Sequence, residues 1–142
     1  MAAMARDDGI IRKLSSEECW DLLRSTTFGR IGFQLRGRTR ITPINYVVDG
    51  SRIVFRTAEG AKFFALMVED NAVLEIDDYD AESAWSVIAH GGVREITDDP
   101  DTASATAGLR PWVPTPKNHV FAIDVDKVRG RRFTLERSPG EV

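Results

Sequence analysis

Cysteine is nearly absent from this 142-residue chain. The single thiol, Cys19, cannot close an internal disulfide, and with only His90 and His119 to help it cannot build a zinc site, so no metal is expected. Cys19 reads instead as a small buried apolar residue. No apolar run approaches the roughly 18 residues of a membrane span. The first nine residues lack a basic start followed by a long apolar stretch, so no signal peptide is expected and a cytoplasmic location follows. Positive charge is also in short supply. The 19 Lys and Arg against 22 Asp and Glu give a net charge of −3, which argues against a general nucleic-acid partner. Repeats and low-complexity segments are missing too.

The length favours one domain, and 42 % apolar residues can supply a core unaided. Residues 1–13 are polar and read as a flexible N-terminal segment. Ser15 and Glu18 then fit a capping box, with Leu14 and Cys19 at the staple positions. A short helix is predicted from about 16 to 25. Beyond it the period changes to two. Ile31, Phe33 and Leu35 alternate with polar or small residues, Arg36-Gly37-Arg38 reads as a turn, and Ile41 to Val48 reads as a second strand. Asp49-Gly50 signals a hairpin into a third strand at Ile53 to Arg56. A second helix is predicted over 61–69, a fourth strand over 72–77 and a long fifth strand over 84–96. Gly91-Gly92 inside the fifth implies a bulge or a close backbone approach. Asp98-Asp99-Pro100 suits another short helix. Strand character resumes at His119 and extends towards Leu135. Sequential strands with frequent turns and few helices suit a small antiparallel barrel.

Five segments carry candidate chemistry. Arg56-Thr57-Ala58-Glu59-Gly60-Ala61-Lys62 places two cations, a hydroxyl and a helix N-terminus together, parts that suit a phosphate and equally describe a solvated strand end. Pro43-Ile44-Asn45-Tyr46 marks an edge or opening, because proline lacks a ladder donor. Trp85 and Val87 share one strand face, Ser86 and Ile88 the other. Trp112 stands among Pro111, Pro114 and Pro116, where it suits docking on a partner or ligand better than a core position. Lys127-Val128-Arg129-Gly130-Arg131-Arg132 is a basic cluster in an acidic chain, read either as solvated or as a second source of charge for an anion. No general acid or base stands out, and catalytic residues stay unassigned. His90 and His119 read as structural.

In this order and spacing the segments resemble the pyridoxamine 5′-phosphate oxidase-like split-barrel flavoproteins, in particular their short actinobacterial-type members. Phe28-Gly29-Arg30-Ile31-Gly32, Pro43-Ile44-Asn45-Tyr46 with Asp49-Gly50, and Ile53 to Thr57 with Gly60 and Lys62 carry the resemblance. Trp85-Ser86-Val87, Pro111-Trp112 and Gly130-Arg131-Arg132 extend it to most of the chain. It implies a mainly β fold: a six-stranded antiparallel split β-barrel of Greek-key type with a few short flanking helices. The domain would span 14–136, with a flexible tail at 137–142. It further implies a homodimer with FMN, or alternatively a deazaflavin, at the interface. Arg56, Thr57 and Lys62 would hold the phosphate. Pro43, Ile44 and Asn45 would lie along the ring, Trp85 and Ser86 would line the pocket, and Trp112 and Arg132 would reach the partner's cofactor. The implied activity is an oxidoreductase passing hydride to an unknown small molecule. The alternative is a non-catalytic module that sequesters or senses a flavin or haem.

Overall fold

The computed structural model describes residues 10–57, 71–96 and 119–135. Its elements in chain order are β1 (Ile11–Lys13), α1 (Ser16–Arg24), β2 (Phe28–Leu35), β3 (Arg38–Asp49), β4 (Arg52–Thr57), β5 (Asn71–Tyr79), β6 (Ser83–Glu95) and β7 (His119–Thr134). The helices expected at 61–69 and after Pro100 lie outside the described residues.

All pairings are antiparallel, in the order β1-β7-β4-β3-β2-β5-β6, and β6 pairs again with β7. Six strands therefore close into a ring, the split barrel expected from sequence. The β2–β3–β4 meander is followed by β5 beside β2, which is Greek-key order. β7 is shared. One edge runs along β6, while the other serves β4 through its first half and β1 through its last residues.

The period-two pattern explains the barrel wall. Along β2, Gly29, Ile31 and Phe33 are buried and their neighbours are not. Tyr46, Phe55, Phe121 and Ile123 join them inside, and the Phe55 and Phe121 rings stack with centroids 5.9 Å apart. A smaller cluster, Val54, Ile96, Val120 and Ala122, occupies the outer side of β4 and β7.

Turn chemistry fixes the register. Leu35 pairs with Arg38, so Arg36 and Gly37 form a two-residue loop with φ of 53° and 78°, the positive pair that a type I′ turn requires. Asp49 pairs with Arg52, and Gly50 takes φ 63° at the first loop position. The helix is capped as its sequence predicts. The Ser15 hydroxyl accepts from the Glu18 N–H at 3.1 Å, and the Ser15 N–H donates to Glu18 Oε1 at 3.0 Å. The Arg12 guanidinium, together with the Ser15 N–H, holds the Glu18 carboxyl down at about 2. Tyr46 Oη donates to the Leu23 carbonyl at 2.7 Å and so ties α1 to the barrel.

The glycine pair behaves as expected, and the two residues differ. The β6–β7 register shifts between His90 and Gly91, from Lys127 to Val125. A Cβ on Gly91 would fall on the Asp124 carbonyl oxygen, whereas one on Gly92 would meet nothing. β1 was not anticipated; its residues Ile11, Arg12 and Lys13 pair with Phe133, Arg132 and Arg131.

Candidate functional site

Residues directly opposite across a ladder share a face of the sheet. That rule lays out the outer wall in transverse rows. Pro43, Arg30, Glu75, Ile88 and Arg129 form one row from β3 to β7. Ile41, Gly32, Val73, His90 and Lys127 form the next. Asn45 stands opposite Phe28, and Ser86 is flanked by Asp77 and Arg131.

Asn45 and Arg56 flank the end of the β3–β4 ladder. The β3–β4 pairing ends at Tyr46 and Phe55, and Asn45 and Arg56 are the residues just beyond that end on the two strands. Arg56 also lies opposite Val120 of the outer apolar cluster. Both side chains are partly buried and have neighbours, but the Asn45 Oδ1 and Arg56 Nε atoms are buried without a hydrogen bond of their own. An amide acceptor and a guanidinium donor at the end of one ladder can meet the mixed donors and acceptors of a planar polar edge, and the guanidinium alone can hold an anion. Such groups bind more strongly in a part-buried setting than in bulk water.

The other expected residues fall in two places. Ile44 points inward and packs on the core, as does Trp85, whose ladder partner is Arg132. Arg132 also lies close enough to Asp80 to help lower that carboxyl, after the Glu82 and Ser83 backbone N–H groups. Pro43 and Ser86 face outward with Asn45. Asn45 and Ser86 are three strand spacings apart, roughly 14 Å along the wall. Thr57 ends β4 opposite His119. Lys62 and Trp112 lie outside the described residues.

One titratable group escaped the sequence reading. Glu75 and Asp77 project from the same face of β5, with Arg30 at 2.8 Å from Glu75 and 3.7 Å from Asp77. Burial pushes the Glu75 carboxyl up to about 7, Asp77 adds to the push and Arg30 opposes it. The signal available was Glu-x-Asp at strand spacing opposite the arginine of Phe28-Gly29-Arg30. Only the β2–β5 register turns that spacing into a contact. Among the described residues, no three His, Cys, Asp or Glu side chains gather as a metal site, and no helix is long and apolar enough to cross a membrane.

The chain is similar to several known proteins. The family profile described as pyridoxamine 5′-phosphate oxidase matches residues 15–132. An uncharacterized Mycobacterium tuberculosis protein is 31 % identical over 136 residues, 89 % of each chain. A solved structure of a FAD-binding protein from Mycobacterium smegmatis is 36 % identical, with a TM-score of 0.73 over 87 % of this chain and 98 % of that one. A Corynebacterium glutamicum structure, 30 % identical, superposes with a TM-score of 0.82 over 92 % of this chain and 98 % of its own.

Proposed function

Because this chain belongs to the pyridoxamine 5′-phosphate oxidase family, we propose that it binds a flavin nucleotide, FMN or FAD, between two copies of the chain and acts as an oxidoreductase on a small molecule. The observation that carries the reading is the 36 % identity, across nearly all of both chains, to a protein that binds FAD. The Asn45–Arg56 pair fits such a ligand by its chemistry. The Arg56 guanidinium, with Lys62, holds the phosphate next to the ribityl chain. Pro43 presents a flat apolar edge to the ring, and the Asn45 amide reads its polar rim. When bound, the flavin supplies two-electron chemistry. The protein's own part is to hold the ring, exclude water and present the substrate.

A second copy is part of this reading. One chain offers Asn45 and Arg56 at one end of its wall and Ser86 roughly 14 Å away. An isologous pair sets one end against the other and closes a single slot. Trp112 is then the residue that reaches the partner's flavin.

The test is a titration of purified protein with FMN, FAD, riboflavin and a deazaflavin, followed by absorbance. Arg56→Ala is expected to weaken FMN and FAD binding by about tenfold or more, with riboflavin nearly unaffected. Equal losses for all three would show that Arg56 does not read the phosphate. Bound flavin is expected to be reduced by NADH, NADPH or a reduced deazaflavin. A loaded protein inert to all of these is a binding module and not an enzyme.

A further inference from the structure

We propose that the Arg30–Glu75–Asp77 cluster makes closure of the two-chain slot proton-dependent: each copy takes up a proton as two copies meet, and the pair loosens as pH rises. This rests on the two-chain reading above and on none of its ligand assignments.

The cluster sits at the middle of the wall. Asn45 is on β3 and Ser86 on β6, and the strands between them are β2 and β5. Those two strands carry Arg30, Glu75 and Asp77. An isologous pair that sets the β3 end of one copy against the β6 end of the other has its two-fold axis midway, between β2 and β5. Groups beside such an axis meet their own copies. The cluster is open enough to be covered: the side chains of Arg30, Glu75 and Asp77 are 43 %, 29 % and 45 % exposed. The same operation carries the second copy's β7 towards β4, so the basic residues Lys127, Arg129 and Arg131 are not set over the middle.

The charges at the middle do not balance. Each copy brings two carboxylates and one guanidinium, with Arg30 2.8 Å from Glu75 and 3.7 Å from Asp77. On β6, Ile88 stands directly opposite Glu75, with Ser86 and His90 on either side of it, and Arg129 lies one strand further out. On β5, Val73 follows Glu75 on this face in one direction, and Asp77 and Tyr79 in the other. On β2, Phe28 and Gly32 flank Arg30. Among the described residues of these strands, His90 is the one further source of positive charge beside Glu75, and a histidine supplies it only by taking up a proton itself.

Covering the cluster with its own copy removes water and doubles the excess negative charge. An ionised carboxylate without a partner is costly in that setting, and a proton removes the cost. Glu75 is the member that takes it. It is the more buried of the two, and its carboxyl already stands at about 7 in the single chain, chiefly through burial and then through Asp77, with Arg30 opposing. Association raises it further. A carboxyl held higher in the pair than in the separate chain favours the pair below about pH 7, and that favour is lost as pH rises through the value reached in the pair.

The experiment is sedimentation equilibrium of the full chain at about pH 6.5 and 8.5 and fixed salt, for the parent, Glu75→Gln, Asp77→Asn and His90→Gln, each shown to be folded by its melting transition. The parent dimer is expected to have a dissociation constant about tenfold or more higher at the upper value. Glu75→Gln and Asp77→Asn each remove the excess charge, and both are expected to lose most of that change. His90→Gln is expected to keep it. Dilution calorimetry of the parent, in two buffers of different ionisation enthalpy, reads the same linkage without a substitution: dissociation at about pH 7.5 is expected to release protons. A parental dissociation constant that is the same at both values overturns the proposal, and so does a Glu75→Gln or Asp77→Asn dimer that keeps the parental change. Loss of the change in His90→Gln gives the proton to His90 and equally overturns it. A chain that is monomeric at both values, in every variant, removes the two-chain reading together with this one. A dimer that loosens with pH yet takes up no flavin supports the proton linkage and removes the flavin reading alone.

Discussion

Glu75 shows how one side chain links the wall to pH. Its carboxyl is raised from 4.5 to about 7, chiefly by burial, so between those values the folded chain holds a proton that the unfolded chain has released. The contribution is fully present below 4.5 and is lost as pH rises through about 7. Glu75→Gln keeps the neutral form at every pH. Urea midpoints of the variant are expected to lose the downward slope across that window and to exceed those of the parent at about pH 8. A variant that follows the parental slope would acquit Glu75 as the titrating group. Arg36 is a second residue whose environment is at odds with its type. It holds φ 53° with a Cβ, at a loop position that asparagine and glycine occupy more readily. Arg36→Asn is expected to stabilise by about 0.5–1 kcal/mol, read from thermal or urea unfolding. At this scale the sequence was legible where residue type and local spacing suffice, as with Ser15 and Glu18. It was illegible for Glu75, whose burial and whose contact with Arg30, 45 residues away, arise only when β2 pairs with β5.

Among the elements, β7 depends most on close approach. Gly130 admits the Cys19 Sγ at 2.8 Å from where a Cβ would stand, and Gly91 admits the Asp124 carbonyl. Gly91→Ala is expected to destabilise by about 2 kcal/mol or more, while Gly92→Ala, facing open space, stays within about 0.5 kcal/mol. Equal effects would refute the register shift at His90/Gly91. The glycine pair was readable as a bulge or a close approach; that the extra residue is Asp126 of β7 and that Gly91 takes the close approach was not, because both depend on the strand opposite. The strands themselves were legible wherever burial alternates, as in Ile31-Gly32-Phe33. β1 was not, since Ile-Arg-Lys carries no period of its own and becomes a strand only against the end of β7.

For the whole molecule, the fold was largely present in the order of strands and turns, and the site only in part. Pro43 and Asn45 share the outer face with Ser86, and Arg56 follows the end of the β3–β4 ladder. Their separation along the wall follows from curvature and strand order, which no local pattern encodes. That separation, with Ile41 71 % exposed and Ile88 37 % exposed on the same wall, makes a two-chain particle the expected species. Light scattering at micromolar concentration is expected to give about twice 15.8 kDa. A monomer mass would remove the shared slot from the flavin reading.

The shared strand has a consequence for biosynthesis. β7 is made after the other described elements, and it supplies the pairing edge for β1, β4 and β6. Ile11 must wait for Phe133, and Arg52 for Asp124. While a ribosome is still building the chain up to β7, the emerged part can form the β2–β3–β4 meander, but it exposes the very strand edges on which chains aggregate. Closure waits until β7 has emerged, at the slow pace of contacts distant in sequence. A nascent chain halted before His119 lacks the closing strand, whatever the quality of the rest.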